Sequence, residues 1–208
     1  MDMPNMKLSK LDTFSMNEKM KIMIMKREAL KVKPVIYEIL NHNPTGLVLA
    51  GGCFSSIFHE EIVRDYDVFV LKTEKSVLYD VGNRLLNHLH QVSADDLRNK
   101  ENFEEAKIRF GNSSYLNNSN NGGKITNTIF NRQTKIQYIF TEYKTREELI
   151  DHFDCEHACV SLDLETETLY ISRDTYDCIN AKTIKKHKNN TILDWRKQKF
   201  AERRWKIS

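Results

Sequence analysis

The 208-residue chain is 40% hydrophobic and 29% charged, with a net charge of +3. This is the balance of an ordinary globular protein, enough for one domain and a small appendage. No apolar run approaches the roughly 18 residues of a membrane span. The first ten residues lack a signal-peptide core. Cys53, Cys155, Cys159 and Cys178 show no disulfide-scaffold spacing and read as reduced thiols. The expectation is a cytoplasmic protein with no membrane partner. The net charge is too small to imply a partner, so its distribution carries the information.

Residues 1–16 read as a flexible arm and residues 17–181 as the main domain. Ser15 or Asn17 caps a helix starting near Glu18, with Met20, Met23, Ile24 and Leu30 turned to the core. Pro34 suits the first turn of a second helix, which carries Val35, Ile36, Ile39 and Leu40 inward and stops before Asn43-Pro44-Thr45-Gly46. The apolar run 47–50 reads as a buried strand, followed by Gly51-Gly52, a short helix over 53–61, and Arg64-Asp65-Tyr66-Asp67 leading into the apolar run 68–71. Thr73 caps a helix whose stripe is Val77, Val81, Leu85, Leu86 and Leu89; residues 95–102 follow as a loop or short surface helix. A strand is expected at 108–110 and a long polar loop, plain or acting as a flap, over 112–123. Strands at 124–130 and 135–143 flank a turn, a capped helix starts at Thr145, a hairpin joins 158–164 to 168–172, and 174–181 is helical. Strands and helices without regular alternation predict an α+β fold. Its mixed central sheet is flanked by helices, with helices at the N-terminus and a basic aromatic C-terminal helix in 182–208.

Residues i and i+2 of a strand share a face, so Asp65 and Asp67 stand side by side with Tyr66 opposite. Two such acids repel unless a cation lies between them, and hard oxygen ligands suit Mg²⁺ or Mn²⁺. Gly51-Gly52 lets backbone approach an anion without a Cβ in the way. The amides of the next helix point at it, and Ser55 can add a hydroxyl. A phosphate cradle facing a two-carboxylate metal site is the equipment of phosphoryl or nucleotidyl transfer. A plain turn and a solvated strand end would explain each part separately, but not two acids leading into an otherwise apolar strand.

In order and spacing, Gly51-Gly52 and Asp65-Tyr66-Asp67 resemble the signature of the DNA polymerase beta-like nucleotidyltransferase superfamily. A weaker likeness extends to minimal nucleotidyltransferase-fold proteins common in bacteriophages. It rests on residues 135–139, residues 153–159 and the basic C-terminal segment. The resemblance implies that Gly51, Gly52 and Ser55 bind a nucleoside triphosphate and that Asp65 and Asp67 bind the catalytic Mg²⁺ or Mn²⁺. It also implies a third acid on a neighbouring strand, where this chain offers Gln137, which cannot act as a base. Asp154, placed at the start of an apolar strand, is the alternative base or a turn-stabilising residue. Asp163 and Glu142 are weaker choices. Cys155, His157 and Cys159 alternate as on one strand face and, with Cys178, raise zinc as a possibility, though without zinc spacing they read better as core.

The tail carries Lys185, Lys186, Lys188, Arg196, Lys197, Lys199, Arg203, Arg204 and Lys206, with Trp195, Phe200 and Trp205 interleaved. Such a segment can hold RNA or dock on the core with a solvated basic face. The functional expectation is metal-dependent transfer of a nucleoside monophosphate to an acceptor hydroxyl, with RNA favoured as acceptor. The alternatives are a catalytically degenerate nucleotide- or RNA-binding module of the same fold, and a structural or interaction protein.

Overall fold

The computed structural model describes residues 13–40, 46–72, 109–110, 124–131 and 134–207. The expected helix at 73–89, the segment 95–102, the loop 112–123 and residues 1–12 of the expected arm lie outside the described residues.

Helix α1 spans Met16–Leu30. Its capping box is closed: the Glu18 N–H donates to the Ser15 hydroxyl, and the Ser15 N–H donates to the Glu18 carboxylate at 2.7 Å. Phe14 is not a free part of the arm; it is buried against Tyr176, ring centroids 5.4 Å apart. Helix α2 spans Lys33–Leu40. Strand β1, Leu47–Ala50, is fully buried, and α3 covers Cys53–Phe58. Strands β2 (Tyr66–Val70), β3 (Arg109–Phe110), β4 (Ile125–Asn131) and β5 (Ile136–Thr141) follow. Helix α4 (Arg146–Asp151) is capped by Thr145, whose hydroxyl accepts from the Glu148 N–H. Strands β6 (Ser161–Asp163) and β7 (Thr168–Tyr170) form the expected hairpin, and α5 spans Arg173–Asn180. The chain ends with β8 (Thr183–Ile184), α6 (Asp194–Glu202) and β9 (Lys206–Ile207).

Among the described residues, seven strands make one sheet in the order β3-β4-β5-β2-β1-β6-β7; β8 and β9 pair separately. Only β2 and β5 of the seven run parallel; the other neighbours are antiparallel, so the sheet is mixed. Strand alternation divides the core. One face sends Leu47, Leu49, Val68, Val70, Tyr138 and Phe140 against Ile22, Met25, Ile36, Phe54 and Ile179. The other sends Val48, Phe69 and Ile139 against Tyr143, Leu149 and Ile150. The C-terminal segment adds a third cluster, in which Phe200, Trp205, Ile184 and Ile192 close over Cys155 and Ala158. No helix among the described residues is long and apolar enough to cross a membrane.

The methionine face of α1 departs from the sequence reading. Ile22, Met25 and Ala29 are buried, whereas Met16, Met20, Met23 and Ile24 lie on the opposite side and are exposed, Met16 at 77%. Apolar residues occupy both faces of this helix, so periodicity alone does not choose the buried one.

Candidate functional site

A cavity opens on the sheet face that carries Phe69, between the β1–α3 turn, the start of β2 and α6. Gly51, Gly52, Ser56, Arg64, Asp65, Asp67 and Gln137 line it, together with Asp154, Arg196, Lys199 and Arg203. Local structure explains this convergence. Ala50, the last residue of β1, is in register with Asp67 on β2, and Asp67 is in register with Gln137 on β5. The end of β1 therefore delivers the glycines beside the carboxylate. Asp65 immediately precedes β2; Asp67 is buried at 8% exposure.

The two glycines are not equivalent. Gly51 has φ +96°, and a Cβ there would meet Asp67 Oδ2 at 3.1 Å. Its missing side chain is thus a requirement of both turn and carboxylate. Gly52 has φ −67°, caps α3, and presents open space where a Cβ would be.

Ser55, expected to add a hydroxyl, and its neighbour Ser56 differ in placement. Ser56 lines the cavity, while the Ser55 hydroxyl is enclosed by protein. Helix α3 begins at Cys53, and residues three apart share a face, so Cys53 and Ser56 look into the cavity together.

The structure separates the expected third acids. Gln137 occupies the strand position next to Asp67. Asp154 lines the cavity and is buried, but it is not on a strand; it precedes a bridge at Cys155 and a 3-10 turn over Glu156–Ala158. Its Oδ2 lies 3.1 Å from Arg196 Nε, an ion pair that ties α6 to the cavity wall. Asp163 is committed to its hairpin, where Oδ1 accepts from the N–H groups of Glu165 and Thr166. Glu142 is exposed, and neither residue lines the cavity.

Asp65 and Asp67 supply hard oxygen donors beside the open space at Gly52, and no described lysine or arginine stands within ion-pairing distance of Asp65. That donor set fits a divalent cation such as Mg²⁺ or Mn²⁺.

The alternation of Cys155, His157 and Cys159 does not put them on one strand face, because the 3-10 turn rotates successive side chains by about a third of a turn. Cys159 instead lies near Glu156 and His187, their potential ligand atoms within 4.8 Å of one another. Glu156 is already engaged: Oε2 accepts from His187 Nδ1 at 2.7 Å, and Oε1 accepts from Thr175 and Ser172. Burial raises its proton affinity, but the hydrogen bonds from His187 and Thr175 outweigh this and hold the carboxyl below its ordinary pKa. The cluster acts as a hydrogen-bonded strut between the 3-10 turn, α5 and the C-terminal segment.

His157 was not identified from sequence as part of the cavity wall. It is fully buried, 4.5 Å from the Phe200 ring centroid and 4.7 Å from that of Trp205. Neither ring nitrogen has a hydrogen-bond partner among the described residues. Burial first, then the charges of Arg196, Lys199 and Arg203, push its pKa down to about 3, while Glu156 pulls weakly the other way. The native state therefore holds His157 neutral, whereas the unfolded chain protonates it near pH 6.5. Its contribution is present above that pH and is lost as pH falls from 6.5 towards 3. His157→Phe is expected to flatten the fall in melting temperature between pH 7 and pH 5; equal slopes for parent and variant would refute this assignment.

Residues 16–182 match the family described as "Gad2: Gabija anti-defense 2 family protein". The chain belongs to the Gabija anti-defense 2 family. No curated protein matches it. Among solved structures, this Gad2-family chain is similar to the Thermotoga maritima CCA-adding enzyme complexed with tRNA, at 11% identity and a TM-score of 0.54, over 88% of this chain and 42% of that one. It also matches the Bacillus stearothermophilus CCA-adding enzyme in complex with CTP, at 13% identity and a TM-score of 0.44, over 78% of this chain and 33% of that one. The chain thus spans less than half the length of either enzyme. The Thermotoga likeness establishes a nucleotidyltransferase-like fold.

Proposed function

We propose that this member of the Gad2 family transfers a nucleoside monophosphate from a nucleoside triphosphate to an acceptor hydroxyl, dependent on Mg²⁺ or Mn²⁺. The observation that supports it best is the convergence of Asp65, Asp67 and the Gly51-Gly52 turn on one cavity with Gln137 in register beside Asp67. Asp65 and Asp67 hold the metal. A bound divalent ion supplies Lewis-acid polarisation of the α-phosphate and neutralises charge on the leaving pyrophosphate. Gly52 leaves room for phosphate, and Ser56 contributes a hydroxyl at the same wall. Gln137 orients the acceptor. It cannot take the hydroxyl proton, and Asp154 is held by Arg196, so the proton passes to a phosphate oxygen of the substrate.

RNA is the proposed acceptor, approached through the exposed outward cations Lys185, Lys186, Arg204 and Lys206. The family description supports an action against Gabija defence, with a bacteriophage as source and the host cytoplasm as setting. A second reading is favoured by Gln137 itself: a module that binds nucleotide without transfer. Incubation with each α-labelled nucleoside triphosphate, Mg²⁺ and total RNA separates the two. Label in RNA with release of pyrophosphate is expected; nucleotide binding with no transfer to RNA, protein or the chain itself would establish the second reading instead.

A further inference from the structure

The basic tail does not present one solvated face. Arg196, Lys199 and Arg203 recur at spacings of three and four residues along α6 and its C-terminal cap, which places them on one side of the helix. All three line the cavity, and Arg64 lines it from the strand side. These α6 residues lie beyond the segment, 16–182, that the family description covers.

The wall is held in place from both ends. Phe200 and Trp205, both buried, anchor α6 in the third core cluster. The Lys206 N–H donates to the Lys182 carbonyl at 2.8 Å, and the Arg196–Asp154 pair fixes the other end. Neither Lys199 nor Arg203 forms an ion pair with a described residue, although both are partly buried. Such cations, desolvated by fixed surroundings, favour an anion among them.

The charges also have a direction. Lys199 is pushed below its ordinary pKa by burial first, with Asp65 opposing this more than Asp67 does. Arg203 is lowered by burial first and then by Arg64, with Asp65 and Glu61 opposing. Both cations thus share the cavity wall with Arg64 and Asp65. Two residues along β2 from Asp67, Phe69 begins the apolar part of the cavity, which continues through Ile125, Tyr143, Leu149 and Phe153. A nucleotide is polar in the same sense, with phosphates at one end and a nucleoside at the other.

We propose that Lys199 and Arg203, with Arg196 and Arg64 beside them, form a polyphosphate grip that holds the β- and γ-phosphates of the nucleoside triphosphate and then the departing pyrophosphate. This rests on the functional reading above for the nucleotide, but it concerns binding and can fail separately. The same cations would bind phosphates of an RNA strand, so the probes must distinguish the two sources.

Calorimetric titration of the full chain with inorganic tripolyphosphate, a nucleoside triphosphate, the matching nucleoside and a single-stranded RNA oligomer is the test. Lys199→Gln and Arg203→Gln are each expected to weaken tripolyphosphate and triphosphate binding about tenfold, with nucleoside affinity unchanged and Lys199→Arg retaining most of the parent's affinity. Unchanged tripolyphosphate affinity, equal losses for nucleoside, or a loss confined to RNA would each overturn the grip. Should the variants fail to fold, protection of Lys199 from amine-reactive labelling by tripolyphosphate in the parent replaces the titration, and absence of protection overturns the proposal. A parent that binds tripolyphosphate through these residues yet transfers nothing refutes the enzyme reading and leaves the grip standing. A transferring parent whose variants bind tripolyphosphate normally refutes the grip alone.

Discussion

Asp67→Asn is expected to reduce nucleotidyl transfer by roughly 10²-fold or more, the scale on which loss of one charge-stabilising group from a reactive centre is felt. Asp67 is the buried member of the pair, seated against the Gly51 backbone and beside Gln137. Asparagine keeps its shape and one oxygen but removes the negative charge with which Asp67 would complete the proposed metal site beside Asp65. The melting temperature without metal is expected to stay at or above the parent's, since the substitution relieves repulsion from Asp65. Measured together, transfer rate and melting temperature separate a chemical effect from a folding one. A stable Asp67→Asn protein with parental, metal-dependent transfer would move the chemistry elsewhere.

The two glycines are expected to respond in opposite ways. Gly51→Ala places a Cβ at 3.1 Å from Asp67 Oδ2 on a backbone with φ +96°. A cost of about 1–3 kcal/mol in stability is expected from the strained backbone, together with loss of transfer as the carboxylate shifts. For Gly52→Val, Gly52 has φ −67°, and a Cβ added there has no atom within 4 Å. Stability should therefore change by less than about 1 kcal/mol, apart from the chain-entropy effect of losing a glycine. The valine projects into the space proposed for phosphate, so nucleotide affinity should fall. Denaturant unfolding and nucleotide titration of both variants check the pair. A stable Gly51→Ala protein, or a Gly52→Val protein with parental affinity, would contradict this division.

Much of the cavity floor was legible because its residues are close in sequence and the signal is local. Gly51-Gly52 and Asp65-x-Asp67 lie at the ends of two adjacent strands, and β1–β2 pairing brings them together. Gln137 was also placed by strand order, and the parallel register of β2 with β5 puts it next to Asp67. The expected helix start at Cys53 agrees with α3, but Ser55 and Ser56 are one helical step of about 100° apart, and packing of α3 on the sheet, not the local sequence, decides which of them faces the cavity. The Cys155–Cys159 segment alternates like a strand, yet the chain reverses there through a 3-10 turn under the C-terminal segment. Tertiary packing overrides the local pattern. The cationic wall was visible as composition but not as direction, because only the burial of Phe200 and Trp205 determines which side of α6 faces the cavity. His157 reads from sequence as core and is buried, but its place in the cavity wall comes from aromatic rings distant in sequence.

Asp65 and Asp67 are proposed to bind a divalent ion together with a nucleoside triphosphate. The most direct measurement is a crystal structure of the full chain with Mn²⁺ and a non-hydrolysable triphosphate analogue, with the ion located by its anomalous scattering. A peak at the Asp65–Asp67 pair is expected, with the α-phosphate beside Gly52 and the β- and γ-phosphates running towards Lys199 and Arg203. Mn²⁺ and nucleotide bound at any other place, with the Asp65–Asp67 pair left without either, would contradict it.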